Sequence, residues 1–331
     1  MVEEFAAPPL RWLAGSADQR RAFWRFWLHD TAIGLLDTGI HHGMRPMPID
    51  VCSRLGCSMG LFARLRYPAS DARARAAWRL LRPAEAGAAE TDRAIDNLWR
   101  CVGRSMAEFS VLDRLWPAGR ITVEGIDNVA AAQAAGRPRL IMALHTGNWE
   151  TIGVTLVAAG HTAVGFYLPP DNRFDHRIAV GARRRYGAVL VPPSPAATQR
   201  AARELKDGGL FVIYVDEFIR GRVQAPAFGR PPAVAGSNIA YVARLAAMTG
   251  ADVIPAYCVR HGDTAWFTVR FLPPVEVRCT ADKRADAAVN VDRLDAVIAP
   301  ILRAHFDQWL YGLDLDLGRE GITEPAQTGS C

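Results

Sequence analysis

Residues 140–151 read LIMALHTGNWET. An apolar run ends at His145, and an acid, Glu150, follows five residues later. An imidazole with a carboxylate on one ring nitrogen has a fixed tautomer and a more basic second nitrogen. That second nitrogen can take the proton of an incoming hydroxyl. A serine hydrolase supplies the hydroxyl itself, on a GxSxG elbow. Neither GRSMA nor AGSNI completes that motif here, so the hydroxyl would come from the substrate. The chemistry that follows is acyl transfer to an alcohol. The spacing alone is weakly diagnostic: His145 is the only one of 8 histidines with an acid at that offset, and chance supplies such pairs. A capping or core role competes with catalysis, and the position of His145 in the fold is the stronger argument.

In open α/β sheets, ligands bind beyond the carboxyl ends of the strands. RLIMALH reads as a buried strand that ends at His145, and NWETIGVTLVAAG as a helix ending at Gly160. Thr146, Gly147 and Asn148 turn the chain, and Thr146 or Asn148 is placed to cap the helix. Glu150 then falls in the first helical turn, where its carboxylate can fold back towards the imidazole. The strands RITVEG, TAVGFY, AVLVPP, GLFVIYVD, ADVIPAYCVR and WFTVRFL alternate with helical segments such as IDNVAAAQAAG, RIAVGARRRYG, AATQRAARELKDG and SNIAYVARLAAMTG. This alternation predicts an α/β fold with a mixed, largely parallel sheet flanked by helices. VDRLDAVIAPILRAHFDQWLYG closes it as an amphipathic helix.

The first third reads as helix, over 18–45 and 60–117, with Thr91 at a capped helix start. The chain thus divides into an N-terminal helical region (1–117), an α/β domain (118–318) and a disordered tail (319–331). Within 18–45, Phe23, Trp24, Trp27, Leu28, Leu35 and Leu36 fall near one face, beside Arg20, Arg21 and Arg25. Such a helix either docks on the protein or lies in a membrane interface, its arginines towards lipid phosphate.

With 331 residues, 50% of them hydrophobic and 22% charged, the chain can bury a sizeable core, and global disorder is excluded. The net charge of +5 is almost all arginine, since Lys206 and Lys283 are the only lysines. Biased composition explains it, as does affinity for phosphate-bearing partners. The six cysteines include no CxxC pair and suit neither zinc nor a disulfide framework, so reduced thiols facing the cytosol are expected. No metal site is read. GxGxxG, GxxxxGK[ST] and HExxH are all absent, against dehydrogenase, NTPase and metalloprotease readings. The N-terminal MVEEFAAPPL lacks the apolar centre of a signal peptide, and no window of membrane-spanning length is free of charge.

ITVEGIDNVAAAQAAGRPRLIMALHTGNWE resembles the segment around the HxxxxD/E box of the lipid A biosynthesis acyltransferases, late acyltransferases of the lysophospholipid acyltransferase superfamily. GLFVIYVDEFIRG resembles their strand ending in an acidic dipeptide. APAFGRPPAVAGSNIAYVARLAAMTGADVIPAYCVR resembles their FxG…TGAxVxP block, and HFDQWLYG their C-terminal QWxW element. The likeness covers about residues 100–312.

It implies a glycerol-3-phosphate acyltransferase-like fold and an O-acyltransferase peripheral to the cytoplasmic face of the inner membrane. The donor would be an acyl thioester of acyl carrier protein or coenzyme A, and the acceptor a hydroxyl of a membrane glycolipid such as a lipid A precursor. It implies no cofactor, no metal and no nucleic acid. On the motif match His145 is the general base and Glu150 its partner, with Asp216 and Glu217 as a second acidic element. Asn148, Trp149, Arg185, Phe228, Gly229 and Gly236 would line the substrate, and backbone amides of the FGRPPAVAG segment would hold the oxyanion. Leu168 stands where the family has an arginine after its strand, and PPAVAG where it has a threonine-bearing segment. Asp307 and Tyr311 replace a proline and a tryptophan of the C-terminal element. These departures leave acyl transfer standing but open the acceptor to another lipid or a secondary metabolite. A non-catalytic binder of lipid or carrier protein is a further alternative.

Overall fold

The apolar runs become strands. The computed structural model describes residues 5–192, 194 and 196–318. In it, β1 (Ile121–Glu124), β2 (Arg139–Ala143), β3 (Val164–Phe166), β4 (Val189–Val191), β5 (Leu210–Tyr214), β8 (Asp252–Arg260) and β9 (Phe267–Phe271) form one seven-stranded sheet, ordered β1-β9-β8-β2-β5-β3-β4. All neighbours are parallel except β8 and β9, which pair antiparallel, so β1 and β9 oppose the other five. A separate hairpin, β6 (Phe218–Ile219) and β7 (Arg222–Val223), follows β5; its short strands were not legible in the sequence.

β2 is central and buried along its whole length, as strands covered on both faces are. Its residues alternate between two cores. Leu140, Met142 and Leu144 pack with α10 (Ala197–Lys206), α11 (Asn238–Thr249) and α12 (Lys283–Ala304). Ile141 and Ala143 pack on the other side, with α6 (Leu112–Leu115), α7 (Asp127–Ala134), α8 (Glu150–Ala158) and α9 (Arg173–Arg185).

The helical region precedes β1. It holds α1 (Ala17–Trp24), a π-helical turn (Arg25–His29), α2 (Asp30–Met44), α3 (Ile49–Arg66), α4 (Pro68–Leu81) and α5 (Ala88–Glu108). Ser16 and Gln19 close a capping box on α1. The expected helix over 18–45 is therefore present, with its middle turn widened. Helix resumes at Ile49 rather than residue 60, because Pro48 opens it. Thr91 lies inside α5, which begins after Gly87, so it caps nothing. α12 starts at Lys283 and stops at Ala304, and the QWLYG stretch forms two 3₁₀ turns instead of more helix. The tail over 319–331 lies outside the described residues. No helix among the described residues is long and apolar enough to cross a membrane.

Candidate active site

Parallel register sets the site. Ala143 at the end of β2 pairs with Tyr214 at the end of β5, so the chains leave the sheet side by side, with His145 next to Asp216. Asp216 Oδ1 lies 2.8 Å from His145 Nδ1, and its Oδ2 accepts the His145 backbone N–H at 2.8 Å. The indole N–H of Trp309 donates to the same Oδ2 at 2.7 Å. Asp216 and Trp309 are fully buried. A carboxylate accepts from Nδ1–H, which leaves the Nε2 lone pair free to take a proton. The ring is held between aromatic neighbours, Tyr214 at 4.3 Å, Tyr311 at 5.1 Å and Trp149 at 5.5 Å between centroids. It keeps 16% of its side chain exposed, which leaves it open to a substrate.

The backbone under the histidine is fixed by the C-terminal 3₁₀ turns. Leu310 donates its N–H to the His145 carbonyl, and Gly147 donates its own to the Gln308 carbonyl, both at 3.0 Å. Gly147 has φ +58°, and a Cβ there would stand 2.8 Å from the Cys258 carbonyl oxygen, so only glycine fits this turn.

Glu150 does not reach the imidazole nitrogen that the sequence reading gave it. As the first residue of α8 it points towards α9, and the strand-borne Asp216 takes Nδ1 instead. The Glu150 carboxylate accepts from Arg183 Nη2 at 2.6 Å and Nε at 3.0 Å, from Tyr186 Oη at 3.1 Å and from Trp149 Nε1 at 3.2 Å. Burial alone would raise its pKa, but the Arg183 guanidinium and these hydrogen bonds outweigh it and hold the acid below the usual range. Glu150 thus braces Trp149, whose ring faces His145.

Asn148 does not face substrate either. It is buried, and its amide donates to Glu108 Oε2 at 2.8 Å. Glu108 in turn forms a buried ion pair with Arg260 and accepts from Ser53. The Thr146 hydroxyl donates to the Cys258 carbonyl. Both side chains tether the loop, so neither caps α8.

Glu217 is buried beside Asp216, and its Oε1 accepts the Asn238 N–H at the start of α11. Burial raises its pKa to about 8, against the lowering effect of that N–H. Arg185 lies 3.7 Å from Asp113 and turns towards Phe109, whereas its neighbour Arg183 enters the site. Phe228 and Gly229 form a left-handed turn, with the Phe228 ring 6.1 Å from Trp309. Gly236 borders a separate cavity of about 260 Å³ with Phe166, Ser237, Tyr241 and Arg244. Trp309 and Arg183 are the partners that the sequence reading missed. Both stand in short sequence patterns, QW and RRR, but only tertiary packing says which side chain turns inwards.

A strand-end imidazole backed by a buried carboxylate suits proton abstraction from a hydroxyl, and the relatives of the chain work on lipids. It is 24% identical over 270 residues to the lipid A biosynthesis palmitoleoyltransferase of Escherichia coli, covering 80% of this chain and 85% of that one. It is 28% identical over 186 residues to a phosphatidylinositol mannoside acyltransferase of Mycolicibacterium smegmatis, covering 54% and 58%. The family model for bacterial lipid A biosynthesis acyltransferases matches residues 24–312, a span that runs from the aromatic N-terminal helix to the turn that clamps His145. The chain is an acyltransferase enzyme and belongs to that family.

Proposed function

We propose that the protein moves a fatty acyl chain from a thioester of acyl carrier protein or coenzyme A to a hydroxyl of a membrane glycolipid such as a lipid A precursor. The observation that carries this reading is the His145–Asp216 pair, which leaves Nε2 open in a member of a lipid acyltransferase family. Nε2 takes the hydroxyl proton as the acceptor oxygen attacks the thioester carbonyl. The new C–O bond forms and a tetrahedral oxyanion develops. Its collapse breaks the C–S bond, and the imidazolium returns the proton to the leaving thiolate. Asp216 stabilises the imidazolium between these steps. Backbone amides of the Phe228–Gly229 turn, whose Phe228 ring packs 6.1 Å from that of Trp309, would hold the oxyanion. The acyl thioester is a co-substrate, and the scheme needs no resident cofactor.

Association with the cytoplasmic face of the inner membrane fits the exposed Trp24, Trp27, Leu28, Leu35 and Leu36. Arg21, Trp24, Arg25 and Leu28 line an open groove there.

A second reading keeps the chemistry and changes the acceptor. Leu168 is 78% exposed where the family resemblance calls for an arginine, and relatives named for phosphatidylinositol mannoside also match. Mass spectrometry of total lipids from cells with wild type or His145→Ala separates the two. A lipid A species that gains one acyl chain only with wild type supports the first reading. A gain on another lipid supports the second, and no gain on any lipid contradicts both.

A further inference from the structure

Helix α3 is built inside out. The face it packs on α5 carries Ser53, Gly56, Cys57 and Gly60. Gly60 lies so close that a Cβ would stand 2.2 Å from the Trp99 carbonyl oxygen, and Gly56 meets Gly103 in the same way. The opposite stripe, at i, i+4 and i+7, carries Leu55, Met59 and Phe62, with Leu65 on its flank. All four are exposed, Phe62 at 75% and Leu65 at 78%. A helix surrounded by water does the reverse and turns its large apolar residues inwards. Helices packed through small residues, with large apolar ones outwards, are the arrangement of a lipid environment. The stripe is bounded by exposed Arg54 and Arg66. The only acid on the helix, Asp50, is held by Arg120.

We propose that this face of α3 lies in the headgroup layer of an anionic phospholipid membrane, as a contact separate from the aromatic face of residues 17–44. The helix does not span, so it would lie along the surface, Phe62 and Leu65 entering the acyl boundary and Arg54 and Arg66 meeting phosphate. A second copy of the chain fits less well. Facing stripes would set arginine against arginine, and the one acid on each helix, Asp50, is already held by Arg120. The proposal rests on the surface of α3 and is independent of the acyl-transfer reading.

The test is flotation of the full-length protein with vesicles of phosphatidylcholine alone or mixed with phosphatidylglycerol. Wild type should bind the anionic vesicles. Phe62→Asp/Leu65→Asp should bind them at least ~10-fold more weakly, as expected for two lost apolar insertions. Its melting temperature, and its acyl transfer to a detergent-dispersed acceptor, should be unchanged. Loss of turnover in every protein would strike the acyl-transfer reading and leave this one standing. If the double variant does not fold, Phe62→Trp decides, because bromolipid vesicles should quench the added fluorescence. Vesicle binding equal to wild type in the folded double variant would overturn the proposal, and so would an absence of quenching in the Phe62→Trp protein. A change from dimer to monomer with vesicle binding intact would assign the stripe to a second copy instead.

Discussion

At the residue scale, two acids divide the work that the sequence assigned to one. Asp216 holds the imidazole, and Glu150 holds Arg183 and Trp149. Asp216→Asn should therefore lower kcat by on the order of 10²–10⁴ while the protein stays folded, because an amide cannot stabilise the imidazolium. Steady-state kinetics beside a circular dichroism spectrum checks this. Glu150→Gln should act mainly on stability. It leaves the Arg183 guanidinium, 20% exposed, without its anionic partner, at a cost of about 1–3 kcal/mol. Adding Arg183→Met should restore part of that loss, and a double-mutant cycle in urea measures how much. Glu217 predicts a pH effect. Its folded pKa of about 8 is raised above the ordinary 4.5, so between those values the folded state holds a proton that the unfolded chain has released. Stability from this group is complete below pH 4.5 and declines by up to ~1.4 kcal/mol per pH unit as the pH rises towards 8. Glu217→Gln should match wild type near pH 4 and be the more stable protein at pH 8, as urea unfolding across that range would report. His145 was legible because it ends an apolar run. Its true partner was legible only as an acid at another strand end, since parallel register between distant segments is not written in either one.

At the element scale, strand and helix order could be read from apolar runs closed by glycine, such as Gly136 and Gly160. The end of α12 could not. Its apolar period runs on through Phe306, Trp309 and Leu313, but these residues are buried by 3₁₀ turns that fold back over the site. Periodicity reports which residues are buried, and here it continued past the helix that it implied. Trp309 on that turn is a positioning residue for Asp216. Trp309→Phe should lower kcat with little effect on KM and should shift the pH–rate profile, since a purely structural loss would leave the profile in place. The α3–α5 seam makes a second prediction. Gly60→Ala places a methyl against the Trp99 carbonyl, and thermal unfolding should show a loss of about 1–3 kcal/mol.

At the scale of the whole molecule, the change from helix to strand–helix alternation near residue 117 marks a change of architecture, yet the core runs across it. Ile95, Leu98 and Trp99 of α5 share one apolar cluster with Leu140 and Met142 of β2. Glu108 of α5 pairs with Arg260 of β8 and accepts from Asn148 of the loop that carries His145. The helical region is therefore part of the foundation of the site. The sequence showed the two architectures by their periods, but contacts between segments so far apart in the chain were beyond it.

The measurement that bears most directly on this account is thiol release from an acyl thioester by purified protein, with a hydroxyl-bearing glycolipid as acceptor. Wild type should release thiol and acylate the lipid in equal amounts. His145→Ala should do neither, and Asp216→Asn should be slowed far more than a folded Glu150 variant. Full turnover by His145→Ala would contradict the account.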